Sequence, residues 1–474
     1  MPHLPLPSDL LETLPATRGA YLVGGTVRDL LMKRRPTDID IVVDGSAAAF
    51  AQALAERVKA RVVPIGKADL TTYRVTSRQA LIDVTPLTGP SLESDLRRRD
   101  FTVNAMACHL QDHRLVDILG GRRDMETRCI RMVSEKAFID DPLRLLRAFR
   151  LAAVLDFTIE PDTLAAIQRH GHRIDRPAGE RLGTEFVHLL ACPSSAAQIL
   201  SMSKSGLLTR LIPEMQPMQG CGQNRHHDFD VYDHTLKAYA ATETCLRDAE
   251  GISADLARRY RQAPYRKKTP AILKYAALLH DIGKPATRQT DADGDVHFHG
   301  HAQQSARLAE SVHQRLRLSN EACLQARTII LNHGRPMNLM AAHRAQTLHR
   351  RGINRFYRDG DPWTPEVLLH ALGDTMGKKQ APDDSVETTL HFIRGLIGDY
   401  FQRYRPLAES RPLVSGRDLM HHFGLQPSAL VGDLLKAVEE ERLAGRIATR
   451  ADALAHAAAY LARIGRPASP PEER

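Results

Sequence analysis

The apolar run Tyr21–Val23, the pair Gly24-Gly25 and the stretch Val27–Leu31 predict a short strand, a glycine turn and the start of a helix. Asp38-Ile39-Asp40-Ile41-Val42-Val43 then reads as a second strand, whose period-two alternation places Asp38 and Asp40 on one face and Ile39 on the other. Further strands are predicted over 61–65, 72–75 and 81–84, so the first hundred-odd residues mix strands with helices. Beyond about Arg128 the pattern turns helical. Leu143, Leu146 and Phe149 recur at helical spacing between Asp141 and Leu155, interleaved with Arg144, Arg147 and Arg150. A break at Pro213–Pro217 precedes a histidine-rich block that runs to about Gly377; 378–385 reads as a linker, and helices continue to a disordered proline-rich tail over 467–474. The expected organisation is an α+β head over 1–128, a helical neck over 129–217, the histidine-rich domain over 218–377 and a helical C-terminal region over 378–474.

Composition adds outer bounds. A chain of 474 residues is too long for one core. Six cysteines lie scattered without CxxC spacing, which argues against a zinc ribbon or a disulfide framework. No stretch approaches a membrane-spanning apolar run, and the beginning lacks the basic and apolar regions of a signal peptide, so a cytoplasmic protein with no membrane partner is expected. The net charge of +9 favours a polyanionic partner. Oligomeric state is not encoded in any of these features.

The chemistry begins at the first two strands. Adjacent glycines let backbone N–H groups approach a triphosphate with no Cβ in the way. Two carboxylates on one strand face repel unless a cation lies between them, and hard Mg²⁺ takes such oxygen ligands. A lone Asp-x-Asp reads better as a capped turn; the upstream Gly24-Gly25 and the apolar flanks reverse that and favour a metal-assisted nucleotide site. A second cluster, Arg97-Arg98-Arg99-Asp100-Phe101-Thr102-Val103-Asn104, offers arginines for phosphate oxygens. Asp100 and Asn104, four apart on one helical face, suit a ribose hydroxyl. Read alone, that cluster is as well explained by a solvated basic turn.

In series, Gly24-Gly25…Asp38-x-Asp40, Arg98-Arg99-Asp100-Phe-Thr-x-Asn104, Asp117-Ile-Leu-Gly-Gly, Asp140-Asp141-Pro-Leu-Arg144 and Glu180-Arg181-Leu-Gly-Thr-Glu185 resemble the successive motifs of class II tRNA nucleotidyltransferases and bacterial poly(A) polymerases. The resemblance implies a polymerase-β-like head with two Mg²⁺ ions on Asp38 and Asp40, and a nucleotide held by Gly24, Gly25, Arg28, Arg98, Arg99, Asp100, Asn104, Asp141, Arg144 and Arg147. It implies template-independent addition of C and/or A to the 3′ end of tRNA from CTP and ATP. Asp141 and Arg144, three apart on a helix, would read the amine and ring acceptor shared by cytosine and adenine. Asp140 departs from the family's usual glutamate. The segment from Asp83 to Asp95 is short and lacks the flexible loop of many CCA-adding relatives, which resembles enzymes that add only the two cytidines. A poly(A) polymerase is the other reading within the class. Asp83 reads either as a third catalytic carboxylate or as a strand-end residue.

The histidine-rich block carries His234, His280-Asp281 in Leu278-Leu-His-Asp-Ile-Gly-Lys-Pro, His301, His333 and Asp374 in order. This resembles the HD metal-dependent phosphohydrolase fold. His234, His280, Asp281 and Asp374 are the expected ligands, with His301 and His333 as additional ligands or phosphate-polarising groups. Imidazoles with carboxylates suit Mn²⁺, Fe²⁺, Ni²⁺ or Mg²⁺. Such a site can hydrolyse phosphomonoesters or 2′,3′-cyclic phosphates, or persist as a structural remnant. A reading from another class makes the chain an HD phosphohydrolase that uses the head to bind RNA. Arg417 and Lys436 in the last segment suit phosphate contacts, which would favour tRNA shape over base reading.

Overall fold

The computed structural model describes residues 17–66, 71–76, 81–223, 228–262, 268–378 and 384–466, with Leu4, Leu14 and Tyr265. Most of the expected linker over 378–385 and all of the expected tail over 467–474 lie outside these residues. The chain divides into two compact units, Met1–Pro213 and Glu214–Arg474.

The first unit opens as an α+β layer. Strands β1 (Ala20–Val23), β2 (Asp38–Val43), β3 (Arg61–Ile65), β4 (Thr72–Thr76), β5 (Leu81–Pro86), β6 (Ala107–His109) and β7 (Leu115–Val116) form a sheet of order β3-β4-β5-β2-β1-β6-β7. Every pairing in it is antiparallel except β2 with β5, which run parallel with Asp40 opposite Asp83. Alternation along β2 decides the layers. Ile39, Ile41 and Val43 enter a core with Leu22, Val75, Ile82 and Val84, covered by Phe50, Ala51 and Leu54 of helix α2 (Ala47–Val58). Val42 turns to the other face, where it packs with Val23, Leu96 and Ala107. Asp38 and Asp40 share the parity of Val42, so both project on that second face.

Between β1 and β2 stands helix α1 (Gly25–Leu31), and helix α3 (Leu92–Arg97) follows β5 after a connection of only 87–91. After helix α4 (Gly121–Glu126) and helix α5 (Lys136–Asp140), helix α6 (Leu143–Leu155) buries Leu145, Leu146, Phe149, Ala152 and Leu155. Helix α7 (Gly179–Leu190) packs beside it through Leu182, Phe186, Leu189 and Leu190. Arg150 of α6 and Glu185 of α7 form an ion pair across that contact.

Among its described residues the second unit is helical apart from one short hairpin. Its centre is α11 (Thr364–Met376), whose residues from Thr364 to Thr375 are all buried, packed by α8 (Val231–Arg247), α9 (Lys268–Leu279) and α10 (Asn320–Asn332). A Cβ on Gly373 would stand 2.7 Å from the Thr242 backbone nitrogen, so glycine is what lets α8 and α11 approach. Past α12 (Asp384–Asp399), a separate apolar cluster joins α13 (Gly416–Phe423), α14 (Ala429–Leu443) and α15 (Arg450–Arg463) through Leu419, Phe423, Leu434, Val438 and Leu461. No helix among the described residues is long and apolar enough to cross a membrane.

Candidate active site and metal centre

The head brings its predicted residues together at the C-terminal end of β1. Gly24 has φ +67°, and a Cβ there would lie 3.0 Å from Arg99 Nη1 and 3.5 Å from Asp40 Oδ2. Only glycine accepts that backbone without strain, and only glycine leaves room for the arginine and the acid to converge. Thr26, which sequence reasoning passed over, bolts the two motifs together. Its hydroxyl accepts from the Asp40 N–H at 2.8 Å and donates to the Asp38 carbonyl at 3.3 Å. A threonine immediately after the glycine pair was the available signal.

Burial pushes the Asp40 carboxyl above its ordinary value; Asp83 and Asp38 add to the effect, and Arg99 opposes it. A carboxylate so crowded is a natural cation ligand. Asp83 is differently placed. Arg74, directly opposite on β4, donates Nε and Nη2 to both its oxygens at 2.8 Å. Its charge is therefore matched within the sheet, while Asp38 and Asp40 supply the oxygen donors that fit Mg²⁺.

Asp100 and Asn104 meet, but not across an α-helix. Helix α3 ends at Arg97, and Thr102–Asn104 form a single 3₁₀ turn after an extended Phe101. Asn104 Nδ2 donates to Asp100 Oδ1 at 3.1 Å, and Arg28 Nη1 donates to Asn104 Oδ1 at 2.6 Å. Arg147 Nε, on α6, lies 2.7 Å from Asp100 Oδ2. Burial would raise the Asp100 carboxyl, but Arg147, Asn104 and the Phe101 N–H together hold it below its ordinary value. Arg28, Asn104, Asp100 and Arg147 thus form one chain of charges and amides linking α1, the 3₁₀ turn and α6. Arg99 is held by Asp95 at 3.0 Å, while Arg98 is exposed and Arg97 pairs with Glu93 on the surface.

The expected pairing of Asp141 with Arg144 on one helix face is corrected by the structure. Asp141 lies outside α6 in extended backbone, φ −139° and ψ 95°, because Pro142 bars the residue before it from helical conformation. Its carboxylate accepts from Arg181 Nη2 at 2.9 Å, and Arg144 Nη1 donates to the Arg98 carbonyl at 3.0 Å. Asp140 ends α5 and is exposed.

In the second unit, the predicted donors gather as two triads, His234 with His280 and Asp374, and Asp281 with His301 and His333. Each imidazole is fixed from behind. The Nδ1 atoms of His234, His280, His301 and His333 lie 3.3, 2.9, 2.8 and 2.7 Å from the carbonyls of Gly377, Ala277, Phe298 and Ile330. That contact assigns the proton to Nδ1 and turns Nε2 inward. His234 Nε2 is 2.9 Å from Asp374 Oδ1, His280 Nε2 is 3.1 Å from Asp281 Oδ2, and His301 Nε2 is 3.1 Å from His333 Nε2. Donors bound at about 2.1 Å to one octahedral ion stand about 3 Å apart, so both triads have the dimensions of a coordination sphere.

Asp281 joins them: its Oδ1 is 3.6 Å from both His301 Nε2 and His333 Nε2 of its own triad, while its Oδ2 is 3.1 Å from His280 Nε2 and 3.7 Å from His234 Nε2 of the other. Asp281 Oδ1 and His280 Nε2 are buried without a hydrogen-bond partner among the described residues, the state of atoms arranged for an ion. Burial works against a charged His280, yet Asp281 and Asp374 carry its imidazole up to about 9; burial takes His333 down to about 3. Lys284 Nζ sits 2.7 Å from Asp281 Oδ2 and Lys378 Nζ 3.2 Å from Asp374 Oδ2, cations that the sequence pattern did not single out.

Fold and sites together define a metal-dependent nucleotidyltransferase head followed by an HD-type histidine–aspartate domain. Family models agree: the poly A polymerase head domain matches 20–131, the "Probable RNA and SrmB- binding site of polymerase A" matches 156–219, and the HD domain matches 231–375. The A-adding tRNA nucleotidyltransferase of Deinococcus radiodurans is 34% identical over 447 residues, 93% of this chain and 95% of that protein. The CC-adding tRNA nucleotidyltransferase of Thermus thermophilus is 30% identical, covering 92% and 93%. Among solved structures, the CCA-adding enzyme of Thermotoga maritima complexed with tRNA shares the fold with TM-score 0.64 at 21% identity, over 93% of this chain and 91% of that one. The chain belongs to the tRNA nucleotidyltransferase and poly(A) polymerase family, and it is a nucleotidyltransferase.

Proposed function

We propose that this chain transfers C and/or A from CTP and ATP to the 3′ end of tRNA, with Asp38 and Asp40 as the catalytic metal ligands. The observation that carries the reading is the convergence of Gly24, Asp40 and Arg99, with Asp38 on the same strand face. The 3′-hydroxyl attacks the α-phosphorus in line and pyrophosphate leaves. Asp38 and Asp40 would hold Mg²⁺, which would neutralise the developing charge and activate the hydroxyl. Arg98 and Arg99 face the phosphates, and the chain Arg28–Asn104–Asp100–Arg147 fixes the wall against which the ribose rests. Asp141 and Arg144 select the base once nucleotide draws them from Arg181 and the Arg98 carbonyl. The 87–91 connection favours a product that stops after the cytidines, and the relatives named above include both A-adding and CC-adding enzymes. Incubation with truncated tRNAs and CTP, ATP or both, followed by sequencing of the ends, tests this. Long A tails from ATP alone would assign a poly(A) polymerase instead.

The domain bounds 1–128, 129–217, 218–377 and 378–474 are proposed as the working divisions for head, neck, HD domain and tRNA-binding tail. The two triads favour a second activity, hydrolysis of phosphomonoesters or 2′,3′-cyclic phosphates at ions of the Mn²⁺, Fe²⁺ or Ni²⁺ type held by His234, His280, Asp374, Asp281, His301 and His333. Turnover of a generic phosphodiester with added Ni²⁺ or Mn²⁺, lost in His280→Ala, tests it.

A further inference from the structure

Helix α11 carries an imidazole that neither reading uses. His370 is 0% exposed, and both its ring nitrogens lack a hydrogen-bond partner among the described residues. A buried polar group without a partner is costly, and a phenylalanine or leucine would fill the same interior with no such cost. The ring packs edge-on against His280 at 4.7 Å between centroids and lies 6.1 Å from His333, so it adjoins one donor of each triad. It also precedes Asp374 by four residues on one helix, which puts the two side chains on the same face, one above the other. His370 nevertheless belongs to neither triad.

On the reading of the HD centre given above, we propose that His370 is a positioning residue of that centre, with a ring nitrogen hydrogen-bonded to a water in the coordination sphere of the ion held by His234, His280 and Asp374. The role explains why a fully buried position beside His280 and His333 holds an imidazole. It also explains why the imidazole finds no partner among the described residues. His370 donates no bond to the ion itself; it orders the oxygen ligand that completes the sphere.

The test is calorimetric titration of the full chain with MnCl₂ or NiCl₂, with thermal unfolding of the metal-free protein measured in parallel, for wild type, His370→Phe, His370→Gln and His280→Ala. His370→Phe should weaken metal binding about tenfold or more. Its metal-free Tm should match or exceed that of wild type, since the substitution removes two unpartnered nitrogens. His370→Gln, which keeps a donor and an acceptor, should bind within a few-fold of wild type. A purely structural histidine predicts the opposite pattern, a lowered metal-free Tm with unchanged affinity, and that result would overturn the proposal. If the phenylalanine ring does not fit, His370→Leu takes its place in the same comparison. Loss of binding in His280→Ala with wild-type affinity in His370→Phe rejects His370 alone. No binding by wild type, or wild-type affinity in His280→Ala, rejects the metal centre and the proposal with it.

Discussion

Arg181 donates to the Asp141 carboxylate at 2.9 Å, so the acid expected to read the base faces α7 rather than its neighbour Arg144. Asp141 is one-third exposed and Arg181 more than half, which limits the pair to about 0.2–1 kcal/mol. Arg181→Ala should therefore change kcat/KM for CTP by no more than about fivefold. Asp141→Ala should lower the preference for CTP over UTP by about 10–100-fold, the value of a hydrogen-bonded recognition group. Single-turnover incorporation on tRNA ending before the first C measures both, and undiminished selectivity in Asp141→Ala would remove this residue from base recognition.

The Asp100–Arg147 contact gives a pH signature. Asp100 lies below its ordinary carboxylate value in the folded protein, so its contribution is present above about pH 4 and is lost as pH falls through the folded value. Asp100→Asn should destabilise the first unit at pH 7 by about 1–3 kcal/mol. Urea unfolding at a series of pH values should show the gap to wild type narrowing below pH 4, and a gap independent of pH would mean that the carboxylate charge is not what counts.

Gly24 and Gly25 should respond differently to alanine. At Gly24 the left-handed backbone and the 3.0 Å approach of Arg99 combine, and the expected loss is about 1–2 kcal/mol with a fall in kcat. At Gly25 the backbone carries no positive φ and the added Cβ meets only the end of the Arg28 side chain, at 3.3 Å, so the loss should be under about 1 kcal/mol. Thermal unfolding and CTP incorporation on both variants separate them; equal losses would show that backbone conformation at Gly24 is not the constraint.

Much of this was legible in sequence wherever the signal is local and periodic. Alternation along β2 gives the shared face of Asp38 and Asp40, and the ordered histidines and aspartates give the donors, though as one set of His234, His280, Asp281 and Asp374 with His301 and His333 added, whereas the structure groups Asp281 with His301 and His333. The failures have physical causes. The three-residue spacing of Asp141 and Arg144 suggests one helix, but Pro142 disfavours helical backbone at the residue before it. Asp100 and Asn104 met through a 3₁₀ turn, which shares the short reach of a helix without its register. Arg74 and Asp83 pair across antiparallel strands, and that register is not written in either segment alone. His370 is invisible because a lone histidine in an apolar helix carries no pattern.

The two chemistries should separate by mutation. His280→Ala and Asp281→Asn are expected to abolish Ni²⁺- or Mn²⁺-dependent hydrolysis of a generic phosphodiester and to leave CTP incorporation within about twofold, since the two sets of residues belong to different compact units. Parallel loss of both activities in a variant that still unfolds cooperatively would contradict that independence.

The most direct test of the nucleotidyl-transfer site is end sequencing of tRNAs lacking all three, the last two or the last nucleotide of CCA, after incubation with CTP, ATP or both and Mg²⁺, for wild type, Asp38→Asn and Asp40→Asn. Wild type should add cytidine, adenosine or both at the 3′ end, and each variant should add none while retaining wild-type tRNA affinity. Undiminished addition by either variant, or no addition by wild type on any of the three substrates, would contradict a catalytic site built on Asp38 and Asp40.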